Sequence, residues 1–345
     1  MVVASKLIVT EEKKLKFVDI VIPNPTRRQV LIRGLMSGIS HGTELALLNH
    51  RTPSFHKHWE ENLRYFEDGN PSKKYPLGLG YEHVGLVVDI GEDINEIKIG
   101  DILWVDSQHQ TYNIIDIDKT PYLLLKSLQE IEKAIFLALT RVALAGVHDS
   151  EPKIGDRFFV SGLGTVGLIV VQLLKNSGVS EIYASDLFKL RRDMANRFGA
   201  ITFDPDSSDV GASIKQITKT GVDTAIECSG SSRALHDAVK SCGIGGKVIT
   251  ISTYLGGASH FFMGEEWHKN RITLMSSISI NGCPSRNYPL WDIERLNNTA
   301  MQILRDDIIN IKSLITHTFD FSDAKEAYNL LQNNPGDTIK VALRY

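Results

Sequence analysis

Two patterns of apolar and polar residues divide the chain. In roughly the first 120 residues, short extended runs are broken by turn residues, which predicts a β-rich domain. The clearest runs are KLIVT, QVLIRGLMSG, HVGLVVDIG, DILWVD and TYNIID. Residues 55–68 instead fit one amphipathic helix. They lie in an aromatic and basic stretch, 49–75, that either packs on the surface or borders a substrate site.

Beyond Ser127, helical patterns alternate with apolar, β-branched strands. The segments are EIEKAIFLALTRVALAG, RFFVSG, LIVVQLLKNSG, EIYASD, LRRDMANRFGA, DTAIECSG, a helix over 232–241, GKVITIS and RITLMSSISI. Such alternation predicts βαβ units around a parallel sheet, so the fold class is α/β. A helix near 292–305, the strand LITHTFDF, a helix over 323–332 and the strand TIKVALRY are expected to return to the first domain. We predict one domain from 1–126 with 291–345, and a second from 127–290.

Composition narrows the functional class. The 345 residues are 42% hydrophobic and 23% charged with a net charge of -3, which is typical of a globular protein without a nucleic-acid partner. No apolar run is long enough for a membrane span, and the amino terminus lacks the pattern of a signal peptide. The three scattered cysteines, Cys228, Cys242 and Cys283, indicate a reducing compartment. These features favour a cytoplasmic enzyme.

A glycine fingerprint follows the strand at residues 158–160. It reads Gly162, Leu163, Gly164, Thr165, Val166 and Gly167, and an apolar helix begins at once. A strand, a GxGxxG turn and a helix together predict a dinucleotide-binding unit, because the glycines let the backbone approach a pyrophosphate at a helix N-terminus. The next strand ends at Asp186, where a carboxylate would bind ribose hydroxyls and repel a 2'-phosphate. We therefore expect NAD(H) as cofactor, with NADP(H) as the alternative if Lys189, Arg191 and Arg192 attract that phosphate.

Several motifs, taken in order, resemble the medium-chain dehydrogenase/reductase family. They are GISHGTE, GLGYEHVG, IGD, PKIGD, GLGTVG, DTAIECSG and GGKVITIS, and they cover nearly the whole chain. The motifs SGISHGTE, GYEHVG and WHKNRITLMSS are most similar to the bacteriochlorophyllide dehydrogenase-like branch. The resemblance implies a GroES-like catalytic domain, an inserted Rossmann domain and an active site in the cleft between them.

The resemblance also implies further cofactor contacts. A threonine near the nicotinamide corresponds to Thr140, and a basic residue at the pyrophosphate corresponds to Lys340. Other positions that would line the cofactor pocket are Cys228, Ser229, Gly230, Ser252, Thr253, Tyr254, Ser276, Ser277 and Ile278. Each of these serines and threonines is equally well explained as a turn former.

The zinc pattern of the family is broken in this chain. Zinc members use a cysteine in a GICGTD-like turn and a histidine in a GHE motif, whereas this chain has Ser40 and Tyr81 in the corresponding motifs. The cysteines of a structural zinc lobe are also absent from residues 84–124. An alternative set for zinc is His41, Glu82 and His83, although adjacent strand residues point to opposite faces. We expect no catalytic zinc.

Without zinc, another group must stabilise the alkoxide and move a proton. The candidates are the hydroxyl of Thr43, the phenol of Tyr81 and the imidazole of His41, with Glu82 orienting a partner. Glu44 would cap a helix or pair with a basic group. The alternative role of Tyr81 is that of a packing residue whose hydroxyl forms a hydrogen bond with a neighbouring group.

The leading functional hypothesis is an NAD(H)-dependent oxidoreductase that interconverts a secondary alcohol and a ketone. One alternative is an NAD(P)H-dependent enone or quinone reductase, and another is an inactive NAD(H)-binding sensor or structural protein. The partner is expected to be a small-molecule substrate, with a bulky or anionic one left open, and neither nucleic acid nor a membrane. The apolar edge strand RITLMSSISI predicts a homodimer, or else a homotetramer.

Overall fold

The computed structural model describes residues 1–278 and 291–345, which form two compact units. The first unit comprises Met1–Phe136 and Ile315–Tyr345, and the second comprises Leu137–Leu314. None of the described helices has the length and apolar character needed to cross a bilayer.

The helices and strands are named in chain order. The strands are β1 (Val2–Val9), β2 (Leu15–Ile22), β3 (Gln29–Ile39), β4 (Lys57–Glu60), β5 (Tyr65–Asp68), β6 (Leu77–Gly78), β7 (His83–Ile90), β8 (Ile102–Val105), β9 (Tyr112–Asp116), β10 (Tyr122–Leu125), β11 (Arg157–Ser161), β12 (Glu181–Ser185), β13 (Ile201–Phe203), β14 (Val222–Glu227), β15 (Cys242–Thr250), β16 (Thr273–Ser276), β17 (Ile315–Asp320) and β18 (Lys340–Arg344). The α-helices are α1 (His41–Leu48), α2 (Ile131–Ala134), α3 (Leu137–Ser150), α4 (Thr165–Asn176), α5 (Lys189–Arg197), α6 (Val210–Thr218), α7 (Ser232–Ser241), α8 (Ile293–Arg305) and α9 (Ala324–Asn333).

The first unit is β-rich, as its short extended runs predict. One sheet has the order β10-β8-β7-β3-β18-β17, and β9 also pairs with β3. A second sheet has the order β2-β1-β6. A hydrophobic core joins β1, β3 and β18 to helices α1 and α9, which are the elements that position the polar site described below.

The second unit has a parallel sheet with the order β13-β12-β11-β14-β15-β16. Its central strands β11 and β14 are buried along most of their length because helices pack against the sheet. Helix α4 is buried around nearly its entire circumference, which explains its almost uninterrupted apolar sequence. The predicted βαβ arrangement is confirmed.

The helix predicted over residues 55–68 is wrong, because this segment forms the hairpin β4-β5. The Trp59 and Phe66 rings pack across the two strands with centroids 4.9 Å apart. Lys57 and Asp68 form an ion pair of 2.9 Å at the open end. Arg64 in the turn has a φ of 59°, which ends any helix at this point. Pairing across the hairpin therefore overrides the helical periodicity.

The unit boundaries also differ from the prediction. The first lies after Phe136 rather than 126, and the second lies after Leu314 rather than 290. Helix α8 belongs to the second unit because it packs on α3, where Arg141 donates a hydrogen bond of 3.1 Å to Asn297. Only β17, α9 and β18 return to the first unit. Cys283, the end of the predicted strand RITLMSSISI and the predicted boundary at 290 lie outside the described residues.

Candidate functional site

The glycine fingerprint forms a tight turn between β11 and α4. Gly162 has a φ of 87°, which favours glycine. A Cβ on Gly167 would lie 1.9 Å from the Gly162 carbonyl oxygen, so only glycine allows this contact of helix and turn. A Cβ on Gly164 would instead meet nothing within 4 Å. The open space at Gly164 is where a pyrophosphate needs to approach the backbone.

The start of α4 suits an anion. Gly164 is the N-cap and provides no side chain to cap the helix, so the positive end of the helix dipole lies beside this open space. Thr165 and Val166 form the first turn. Leu163 is fully buried, and its N–H donates to Asp186 Oδ2 at 2.8 Å. The turn fits a dinucleotide, but the Leu163 N–H bonds to Asp186 of the protein rather than to the ligand.

Replacing Gly164 with valine is expected to weaken NADH binding at least tenfold, while the poorer N-cap lowers stability by no more than about 1 kcal/mol. The new Cβ would lie in the ligand space with no protein atom within 4 Å, and the φ of -64° suits any residue. Fluorescence titration with NADH and thermal unfolding measure both effects. Gly167→Ala is the comparison variant, which should lose stability instead. Unchanged NADH affinity in Gly164→Val would place the cofactor elsewhere.

Asp186 follows β12 and holds the turn after it. Its carboxylate accepts hydrogen bonds from the N–H groups of Leu163 and Phe188, at 2.8 and 2.9 Å. These contacts use only part of the carboxylate's acceptor capacity, so a ribose hydroxyl can still donate to it. Arg191 lies 3.7 Å from the same carboxylate and over the Phe188 ring, and burial lowers the pKa of its guanidinium.

The remaining predicted cofactor residues of the second unit fall into three groups. Thr140 and Ser277 are buried, and the hydroxyl oxygen of each has no hydrogen-bond partner among the described residues. Thr253, Ser276 and Ile278 are exposed. A third group surrounds the buried Glu227 carboxylate, consisting of Ser229, Gly230, Ser252 and Tyr254. Cys228 lies beside it, and burial together with the Glu227 charge raises the pKa of its thiol, so it is no nucleophile at neutral pH.

A cluster of three hydroxyls lies in the first unit. Tyr81 donates a hydrogen bond of 2.6 Å to the Oγ of Ser40, the residue that precedes α1. The Thr43 side chain, in the first turn of that helix, also interacts with the Tyr81 hydroxyl. Burial, followed by the charge of Glu82, raises the pKa of Tyr81 well above its usual value. The phenol therefore remains protonated at neutral pH and acts as a hydrogen-bond donor.

The buried carboxylate of Glu44 holds this cluster in place through hydrogen bonds. One carboxylate oxygen accepts from the Ser40 N–H at 2.7 Å, while the other accepts from Tyr328 and lies 3.0 Å from His109 Nε2. Burial alone would raise the pKa of Glu44, but the charge and hydrogen bond of His109, with the bonds from Ser40 and Tyr328, lower it instead. Glu44 thus fulfils both predicted roles, capping a helix and pairing with a basic group.

The network continues through His109 to the carboxyl terminus. His109 Nδ1 lies 2.8 Å from Ser37 Oγ, which is 2.9 Å from the Tyr345 hydroxyl. The His109 ring packs against the backbone of Gly80, where a Cβ would come within 2.8 Å and φ is 97°. Glycine at position 80 thereby holds the turn that presents Tyr81.

Glu82 and Lys340 form an internal ion pair. Both side chains are fully buried, and the Lys340 Nζ donates to Glu82 Oε2. The ammonium also lies 5.5 Å from the centre of the Phe136 ring. The structure therefore assigns Lys340 to this pair, which corrects the prediction that it reaches a pyrophosphate. Glu82 is likewise held by Lys340, and its role in orienting a catalytic partner stays a prediction.

His83 lies in the interior of the first unit, on β7. Neither ring nitrogen has a hydrogen-bond partner among the described residues, and the ring packs edge-on to Tyr345 at 5.0 Å. Burial, and to a lesser degree His109, lowers the pKa of His83 to about 3. His41 occupies the first position of α1.

The alternative zinc ligands, His41, Glu82 and His83, do not converge. In the described part of the chain, the only three metal-binding side chains that do so are His236, Glu265 and Glu266 of the second unit. Ser40 stands where a thiolate would be expected, but its Oγ accepts the Tyr81 hydrogen, and Glu82 is engaged by Lys340. This donor set does not match the soft thiolate and imidazole ligands of a catalytic zinc site.

Sequence reasoning missed several residues of the site. They are Ser37, Ser40, His109, Tyr328, Tyr345 and Glu227. Ser40 and Glu227 lie inside the motifs GISHGTE and DTAIECSG, so their polar side chains beside candidate residues were an available signal. His109 and the two tyrosines have no such signal, because they join the network of Glu44 and Ser37 only through tertiary structure.

The chain is similar to several known proteins. The family model described as zinc-binding dehydrogenase matches residues 165–296. D-guloside 3-dehydrogenase of Escherichia coli is 27% identical over 92% of this chain and 93% of its own. The (R,R)-butanediol dehydrogenase of Bacillus subtilis is 31% identical over 58% of this chain and 63% of its own. A crystal structure of 2R,3R-butanediol dehydrogenase from that organism has a TM-score of 0.80, with 23% identity and 99% of each chain covered.

These likenesses support the predicted resemblance to the medium-chain dehydrogenase/reductase family. The dehydrogenases among these relatives support an oxidoreductase that acts at the alcohol/ketone level. The predicted fold class is confirmed. Among solved structures of similar fold, a putative zinc-binding dehydrogenase from Sinorhizobium meliloti is bound to NADP, and an alcohol dehydrogenase from Escherichia coli is bound to NADH. The bacteriochlorophyllide dehydrogenase-like branch stays a prediction.

Proposed function

We propose that this protein is an NAD(H)-dependent oxidoreductase that interconverts a secondary alcohol and a ketone without catalytic zinc. The observation that carries the proposal is the hydroxyl cluster of Ser40, Thr43 and Tyr81, held in place by the buried Glu44. Bound NAD+ supplies the hydride acceptor for alcohol oxidation. The protein must then hold the substrate oxygen and move one proton.

Ser40 is the central hydroxyl of this mechanism. Because its Oγ accepts the Tyr81 hydrogen, its own O–H remains to donate to the substrate oxygen in the direction of ketone reduction. Tyr81 strengthens that donor by polarising it, and Thr43 adds a second hydroxyl. His41, adjacent to Ser40 and partly exposed, exchanges the proton with solvent. This sequence of donors revises the initial hypothesis that Tyr81 itself donates to the substrate.

The absence of zinc chemistry is inferred from the donor set. The Lys340 ammonium forms an ion pair with the Glu82 carboxylate, and burial keeps His83 neutral inside the first unit. Ser40 and Tyr81 replace the thiolate and imidazole of the zinc members. A protonated hydroxyl pair is a hydrogen-bond donor rather than a zinc ligand.

The cofactor preference is proposed from the surroundings of Asp186. Lys189 pairs with Asp193 at 2.6 Å, and Arg192 pairs with Asp204 at 2.7 Å. Two of the three basic groups that would attract a 2'-phosphate are therefore neutralised, while Arg191 lies beside Asp186 itself. This arrangement favours NAD(H), with NADP(H) as the weaker alternative.

Ser40→Ala is expected to lower kcat about a hundredfold, and Tyr81→Phe about tenfold, because each removes a proton donor from the cluster. Tyr81→Phe should leave the pH profile of kcat unchanged, since the phenol stays protonated in the wild type. Steady-state kinetics of both variants measure these effects, with the exposed Tyr65→Phe as the matched control. Wild-type kcat in both variants would reject the hydroxyl mechanism.

The substrate class is tested with a panel of compounds and NAD+ or NADP+. We propose a polyhydroxylated secondary alcohol, supported by relatives named for a guloside and for butanediol. The panel contains glycosides, linear polyols and 2,3-butanediol, with α,β-unsaturated ketones and quinones as the contrasting set. Turnover of secondary alcohols with NAD+ supports the proposal. Reduction of enones alone would indicate a reductase, and cofactor binding without any turnover would indicate a sensor.

We further propose a homodimer, with a homotetramer as the alternative. Strand β16 is the edge of the parallel sheet, and Leu274 on this strand and the nearby Ile278 are exposed. An apolar edge strand is normally covered by another chain. Light scattering at micromolar protein tests this, and a monomer would contradict it.

A further inference from the structure

Glu227 is a fully buried carboxylate at the end of β14. One of its oxygens accepts from the N–H of Ser229 at 2.7 Å and from the Ser229 hydroxyl. The other accepts from the N–H of Gly230 at 3.1 Å, the Ser252 hydroxyl at 2.6 Å and the Tyr254 hydroxyl at 2.5 Å. The carboxylate thus joins the turn after β14 to the turn after β15.

These two turns also support the glycine fingerprint. A Cβ on Gly162 would lie 2.7 Å from the Ser229 Cβ and 2.8 Å from its nitrogen, so the fingerprint turn packs directly on Ser229. A Cβ on Gly230 would lie 2.8 Å from the Thr253 carbonyl oxygen, so the two turns also contact each other. Whatever fixes Ser229 and Gly230 therefore fixes the surface on which the fingerprint rests.

We infer that Glu227 is a positioning residue for the dinucleotide site, acting by clamping three turns into one rigid wall. This inference rests on the proposed cofactor and deepens it. The hydroxyl hydrogens of Ser229, Ser252 and Tyr254 all point to Glu227, which leaves oxygen lone pairs as the groups these residues can offer a ligand. Acceptors suit the hydroxyl groups of a ribose and disfavour a phosphate, so the clamp selects for the sugar part of the cofactor.

Glu227→Gln is the sharpest test because it keeps the size and removes half of the acceptor capacity. A glutamine has one acceptor oxygen and one NH2 donor. The two backbone N–H groups, from Ser229 and Gly230, face different oxygens of Glu227 and cannot reverse their polarity. In either orientation of the amide, one N–H group must face the NH2.

The expected result is a rise of about tenfold to a hundredfold in the Kd of NADH, measured by calorimetric titration. The KM for NADH should rise with it while the KM for the alcohol stays constant, a split that a general loss of stability would not produce. The exposed Glu265→Gln is the matched control, and Glu227→Asp should recover part of the affinity. A Kd within twofold of the wild type would overturn the inference.

If Glu227→Gln does not fold, Ser252→Ala with Tyr254→Phe provides the second test. This pair removes two donors without adding a conflicting group, and a rise of about threefold or more in the NADH Kd supports the clamp. An unchanged Kd in the double variant overturns it. Failure of the wild type to bind either NADH or NADPH would instead contradict the proposed function.

Discussion

Replacing Lys340 with methionine is expected to lower the free energy of unfolding by about 3–5 kcal/mol. The substitution removes the ammonium group and leaves the Glu82 carboxylate, fully buried, without that cation. Breaking one side of a buried ion pair costs more than the pair itself contributes, because the remaining charge keeps its desolvation penalty. Urea unfolding of the wild type and the variant measures the loss.

The control for this prediction is the double variant Lys340→Met with Glu82→Met. It replaces both charges with apolar side chains of similar length, so most of the lost stability should return. Binding of NADH should remain close to wild type in the double variant, since the pair is internal to the first unit. If Lys340→Met alone kept wild-type stability but bound NADH more weakly, Lys340 would be assigned to the pyrophosphate as first predicted.

Acid should destabilise the protein through His83, beginning below about pH 6.5. The pKa of His83 is 6.5 in its ordinary state and about 3 in the folded protein, because burial disfavours the charged ring. As the pH falls through this window, the unfolded chain takes up a proton that the folded protein does not. Stability therefore decreases by about 1.4 kcal/mol per pH unit, or about 2 kcal/mol by pH 5.

His83→Leu should remove this slope and should not lower stability at pH 7, because it also removes two buried nitrogens without hydrogen bonds. Urea unfolding at pH 7 and pH 5 measures the difference, with the exposed His58→Leu as the matched control. Glu44 acts in a separate window. Its lowered pKa means that its stabilising effect is complete above about pH 4.5 and is lost only below that value. An equal acid response in wild type and His83→Leu would contradict the prediction.

Local patterns predicted most of the fold. The strand, glycine turn and helix at β11 and α4 are specified by neighbouring residues, and the spacing of their glycines has a direct steric cause at Gly167. The hairpin at 57–68 was misread because its apolar residues fit both a helix and two short strands. The pairing of Trp59 with Phe66 decides between them, and that contact is not visible in local periodicity.

The candidate site could be predicted only in part. The motifs drew attention to Thr43 and Tyr81, which do lie in one cluster. Their organisation depends on contacts between distant parts of the chain, since Tyr328 is 284 residues from Glu44 and Lys340 is 258 residues from Glu82. A sequence without aligned homologues carries no signal for such pairs, so Lys340 was assigned to the wrong partner.

We propose that this protein oxidises secondary alcohols through hydroxyl groups, without the zinc ligands of the family that it resembles. The most direct test measures zinc by mass spectrometry and alcohol turnover with NAD+ on one sample, purified without chelator or added metal. We expect the sample to oxidise the alcohol although it contains far less than one zinc atom per chain. Adding a chelator should not lower the rate. One zinc per chain, together with turnover that a chelator abolishes and zinc restores, would contradict it.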